Sequence, residues 1–113
     1  MTVEITLLNI NTGETNTVVV ENVENSKCFS YIDNESNNCE MHIYDNGLYL
    51  LRKCADHTLE LSLMNEPFCK VISNEGEIKF DAKIIDFCVN NDILVMRYKI
   101  DDEEREIKIV IRG

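Results

Sequence analysis

The chain has 113 residues, 44% of them hydrophobic and 28% charged, with a formal net charge of −10. That length makes one domain with a core of its own, needing neither disulfides nor metal. The acidic balance repels phosphate backbones and anionic lipid, so nucleic-acid and membrane-surface roles are set aside. No apolar run approaches the roughly 18–20 residues of a membrane span.

Thr2 to Ile10 alternates, with Val3, Ile5 and Leu7 on one face and Thr2, Glu4 and Thr6 on the other. Asn11-Thr12-Gly13-Glu14 turns it into a second strand, Thr15 to Val23, in which Val18 and Val20 oppose Thr17, Val19, Glu21 and Val23. Period-two placement puts such sets on opposite faces of a sheet. Lys27 to Asp33 follows, and the polar tract Asp33 to Asn38, the longest loop-like stretch, reads as an open, mobile tip. Cys39 to Tyr44 and Leu48 to Lys53 flank Asp45-Asn46-Gly47. Asn-Gly between apolar strands predicts a type I′ hairpin, whose two central residues both need positive φ.

Leu59, Leu61 and Leu63 alternate with Thr58, Glu60, Ser62 and Met64 as a half-buried strand. Pro67 precedes Phe68 to Ser73, where its missing N–H does least harm. In Glu77 to Val89 the apolar parity changes, from Ile78, Phe80, Ala82 and Ile84 to Ile85, Phe87 and Val89. That change of face predicts a β-bulge or bend at a barrel corner. A helix over Asp81–Phe87 is the alternative, because short apolar runs are ambiguous by pattern. Ile93 to Ile100 and Glu106 to Arg112 close the chain around an acidic tip, Asp101 to Glu104.

About ten strands joined by short turns predict an all-β fold, an antiparallel up-and-down meander closed into a barrel of about eight to ten strands. An unclosed meander would leave two costly edges.

The run LYLLRKCADHTLELSLMNEPFCKVISNEGEIKF, then ILVMRYKI and the ending IVIRG, resembles the YwiB-like family of uncharacterised bacterial proteins. The resemblance covers Leu48 to Gly113; the N-terminal third matches only as strand-turn-strand. It implies a calycin-type, lipocalin-like β-barrel and a bacterial setting. It implies no catalytic residues.

The five cysteines, Cys28, Cys39, Cys54, Cys69 and Cys88, are odd in number and form no CxxC. With an N-terminus, MTVEITLLNIN, that lacks an apolar signal core, they are expected to be reduced thiols in a cytoplasmic protein. Cys54, Asp56 and His57 share one turn, but nothing nearby builds an oxyanion hole, so a polar hairpin tip is the better reading. Cys39, His42, Cys54 and His57 lack paired zinc spacing, and Asp101 to Glu104 lacks the pattern of a calcium loop. No metal is expected. With only Gly13, Gly47, Gly76 and Gly113, no phosphate-cradling loop can be written, so no cofactor is expected. Phe29, Tyr31, Phe80 and Phe87 could form a stacking platform for single strands, but such platforms sit in positive grooves.

Arg52 and Arg97 remain. Arg52 shares parity with Leu48 and Leu50, and an inward guanidinium must be paired or bridged. Alternation puts Leu94, Met96, Tyr98 and Ile100 inside and Arg97 outside. The expected ligand site is therefore Arg52 with Tyr49, Tyr98 and Lys70, taking a small carboxylate or apolar ligand. The expected function is non-enzymatic binding of such a ligand or of a protein partner. An enzyme with a barrel-mouth site and a purely structural, homo-oligomeric protein are the alternatives.

Overall fold

The computed structural model describes residues 1–113 and contains ten strands and no helix. In chain order they are β1 Thr2–Asn9, β2 Thr15–Val20, β3 Cys28–Ile32, β4 Asn38–Tyr44, β5 Gly47–Lys53, β6 His57–Leu63, β7 Phe68–Ser73, β8 Gly76–Asn90, β9 Ile93–Ile100 and β10 Glu103–Arg112. All pairings are antiparallel, and the order across the sheet is β2-β1-β10-β9-β8-β7-β6-β5-β4-β3. The fold is a meander curled into a nearly closed barrel. The first and last strands pair along Thr2–Asn9, so closure comes from β1 against β10, while consecutive strands β2 and β3 form no ladder.

Two seams divide the wall. At one, the long strand β8 gives Gly76–Asp81 to β7 and Ala82–Asn90 to β9. The register slips between Ile84 and Asp86, where the apolar parity of the sequence changes. The extra residue at Ile85 bends the strand and re-aims Phe87 toward the core. The helical alternative for Asp81–Phe87 is thereby excluded. At the other seam, Asn34 Nδ2 reaches across to donate to Asn16 Oδ1 at 2.6 Å and to the Thr17 carbonyl at 2.9 Å. Below it, the connection from β2 to β3 is tied by the Val23 N–H to the Met1 carbonyl at 2.9 Å and by the Ile43 N–H to the Lys27 carbonyl at 2.8 Å. The second strand therefore ends at Val20, short of the expected Val23, because Asn22 turns the chain with φ of 58°.

The core follows the period-two pattern. Val3, Ile5, Met41, Leu48, Leu63, Met96, Ile107 and Ile109 are fully buried. Leu94, Met96 and Tyr98 point inward and Arg97 is exposed, as alternation requires.

Two turns differ from expectation. The β4–β5 loop is Asp45–Asn46, with Tyr44 paired to Gly47, and none of these residues has positive φ. Gly47 is needed for a different reason. A Cβ there would lie 2.0 Å from the backbone carbonyl oxygen of Leu63. The acidic tip is also shorter than the sequence suggests. Asp101 takes φ of 52°, which lets Ile100 pair with Glu103, and both Glu103 and Glu104 join β10.

Candidate site at the barrel mouth

Both arginines of this site arise from inward-facing rows. Across one wall, cross-strand neighbours run Tyr31, Cys39, Arg52 and Leu59; across the other they run Asn9, Arg105 and Tyr98. Inward parity thus carries two guanidiniums, from β5 and β10, to the end of the barrel formed by the β1–β2, β3–β4, β5–β6, β7–β8 and β9–β10 turns. They line a single cavity of about 240 Å³, whose walls include Leu7, Leu50, Leu59, Leu61, Tyr98 and Ile100. Glu14 and Glu106 also border it.

Arg52 Nε lies 3.2 Å from Asp33 Oδ2, and the Asp33 side chain is only 8% exposed. Asp33 belongs to the β3–β4 loop, which folds around its carboxylate. Its Oδ1 accepts the N–H groups of Glu35 at 3.0 Å and Asn37 at 2.9 Å, and Oδ2 accepts Asn37 Nδ2 at 3.2 Å. Burial alone would raise this carboxyl, but the Asn37 and Glu35 hydrogen bonds and the Arg52 charge outweigh burial and hold it below its ordinary value. Arg105 donates from Nη2 to Glu103 Oε2.

A guanidinium carries five donors. Here the Nε atoms of Arg52 and Arg105 are both buried without an aligned hydrogen-bond acceptor in the protein. Arg52 Nε keeps the Asp33 carboxylate as its ion-pair partner, whereas Arg105 meets Glu103 through Nη2 only. Tyr98, the cross-strand neighbour of Arg105, lines the same cavity. Burial pushes its hydroxyl up to about 12, against the lowering influence of Arg105 and Arg52, so the phenol stays neutral and can donate.

Of the four residues singled out in the sequence, Arg52 and Tyr98 come together here. Tyr49 and Lys70 stand on the outer face, and the expectation that they join the site is corrected. The reason is parity: Leu48 and Leu50 are buried inward on β5, and Cys69 is buried inward on β7. Tyr49 therefore points out and donates its hydroxyl to Glu60 Oε2 at 2.6 Å. Lys70 pairs with Glu77 at 3.3 Å and lies 5.4 Å from the centroid of the Phe68 ring. Arg105 was missed because the acidic run beside it reads as a turn. Its parity with Ile107 and Ile109 was the available signal.

The other candidates do not assemble. His57 Nδ1 bonds Asp56 Oδ1 at 2.7 Å, and Cys54 meets His57 only through backbone, N–H to carbonyl at 2.9 Å. No group of three His, Cys, Asp or Glu side chains is placed to hold a metal ion. All five cysteines are free thiols, and no helix is long and apolar enough to cross a membrane.

Fold and mouth together define a small up-and-down β-barrel whose opening is lined by two arginines and two glutamates. Neither a family model, nor a curated protein, nor a solved structure matches the chain.

Proposed function

We propose that the barrel is a non-enzymatic binding module for a small carboxylate with a short apolar body. One observation carries this reading: two guanidiniums, from β5 and β10, line one cavity, Arg52 held through Nε by Asp33 and Arg105 through Nη2 by Glu103. A carboxylate between them would accept from both, and its apolar part would rest on Leu50, Leu59 and Leu61 below. At about 30 Å³ per water-sized group, 240 Å³ suits a ligand of roughly eight heavy atoms. The likeness of residues 48–113 to the YwiB-like family, with its calycin-type barrel and bacterial setting, belongs to the same proposal. So does a cytoplasmic location, which the free thiols favour.

Hexanoate, with its eight heavy atoms, is a suitable probe and hexanol its uncharged control. Titration followed by amide chemical shifts should saturate with hexanoate, shift residues of β5, β9 and β10, and leave hexanol without comparable effect. Arg105→Leu should abolish the hexanoate response in a protein that retains its strand spectrum. Equal responses to acid and alcohol, or an unchanged response in Arg105→Leu, would reject the carboxylate site and leave Asp33 and Glu103 as the partners of the two guanidiniums.

A further inference from the structure

On the outer face, away from the mouth, β3 and β4 align three groups that the binding reading does not use. Cys28 and His42 are direct cross-strand partners, with Cys28 Sγ 3.4 Å from His42 Nδ1. The opposite ring nitrogen, Nε2, lies 3.8 Å from Glu40 Oε1. The Tyr49 ring packs edge-on against the imidazole, with centroids 5.9 Å apart, and limits its rotation. Thiol, imidazole and carboxylate thus stand in line, each ring nitrogen facing one partner.

We propose that Cys28 is a reactive thiol that undergoes exchange with low-molecular-weight disulfides, with His42 as its proton acceptor and Glu40 acting on the ring through its charge. A thiolate is the attacking species in such exchange, so a base at hydrogen-bond distance raises the rate. In the reaction the Cys28 proton passes to His42 Nδ1 and Sγ attacks one sulfur of the disulfide. A new Sγ–S bond forms as the original S–S bond breaks. The departing thiolate takes the proton from His42 and leaves as a thiol, so the incoming disulfide is the oxidant and the electrons balance.

Access favours this site. Cys28 is exposed and begins β3, an edge strand with a neighbour on one side only. The other four thiols lack the arrangement. Cys39 and Cys69 are buried, and burial raises both thiols and that of Cys54 as well. Cys88 is exposed on β8 with no side-chain hydrogen bond, which makes it an internal control within the same molecule.

The test is exposure of the reduced protein to oxidised glutathione, with mixed disulfides mapped and timed by peptide mass spectrometry. Cys28 should be modified at least about tenfold faster than Cys88, as expected for a base acting on one thiol alone. His42→Asn should reduce the Cys28 rate towards that of Cys88 and leave Cys88 unchanged. His42→Gln serves as a second variant, because the ring also packs on Tyr49. Glu40→Gln should slow Cys28 by a smaller factor that fades with added salt, since its influence is through charge. Equal rates at Cys28 and Cys88 in the unmodified sequence, or a Cys28 rate unaffected by either His42 variant, would overturn the proposal. A salt-independent effect of Glu40→Gln would remove Glu40 from the role.

Discussion

The two halves of the barrel interior are built by the same alternation and end up with opposite character. In the lower half, Val3, Ile5, Met41, Leu48, Leu63, Met96, Ile107 and Ile109 fill the space between the walls and exclude water. In the upper half, the same rows continue as Arg52, Cys39, Tyr31, Tyr98 and Arg105, and a cavity opens. Strand parity decides which residues face inward, and it is indifferent to whether they are apolar. A barrel of this size holds little more than its own side chains. Placing arginines whose heads reach for the rim where large apolar residues would fill the space therefore creates the opening.

The largest expected effect lies in the filled half. Leu63→Ala should cost about 2–5 kcal/mol in urea denaturation, the range for truncating a fully buried leucine where packing relaxes only partly. A loss below about 1 kcal/mol would mean that the lower half collapses onto the space as readily as the mouth.

Gly47→Ala addresses the same region from the backbone. The added methyl would meet the Leu63 carbonyl oxygen at 2.0 Å, so the β5–β6 approach must open. A cost of about 1–3 kcal/mol is expected, as for other overpacking changes. An alanine variant as stable as the parent would show that the two strands part without loss.

Arg52→Leu should instead separate binding from stability. Its side chain is 24% exposed, and its partner Asp33 keeps the hydrogen bonds from Glu35 and Asn37. The expected cost is about 1–3 kcal/mol, because the buried Asp33 carboxylate loses its counter-charge but keeps those hydrogen bonds. Hexanoate binding should nevertheless be lost. Tyr49→Phe and Lys70→Ala, on the outer face, should leave the hexanoate response unchanged.

Acid should weaken the upper half before the lower one. The Asp33 carboxyl sits below its ordinary value in the fold, so the unfolded chain binds its proton more readily. Its contribution is fully present above the ordinary aspartate value of about 3.9 and disappears as pH falls through the lower, folded value. In Asp33→Asn that contribution is absent at every pH. The stability gap between parent and variant should therefore narrow below about pH 4, and a constant gap would exclude the charge of Asp33 as its source.

The smallest expected effect is at the open seam. Asn34→Ala removes two hydrogen bonds that cross from the β3–β4 loop to β2, at a cost of about 0.5–1.5 kcal/mol. Amide exchange should quicken first along β2. At the continuous seam, protection in β8 should not change.

Much of this molecule was legible in its amino-acid order. Alternation located nearly every strand, the inward faces, the bulge beside Ile85 and the exposure of Arg97, because a pleated strand fixes side-chain direction by position alone. It also brought Arg52 and Tyr98 to attention. Turn geometry was less legible. Asp45-Asn46-Gly47 admits two loop placements, and the need for glycine at 47 comes from the Leu63 carbonyl, sixteen residues away along the chain. The partners of each side chain were beyond sequence altogether. That Arg105 faces the same cavity as Arg52, and that Cys28 lies opposite His42, follow from register and closure. Register sums over every turn between two strands, so one residue gained or lost in a single loop would shift each pairing beyond it.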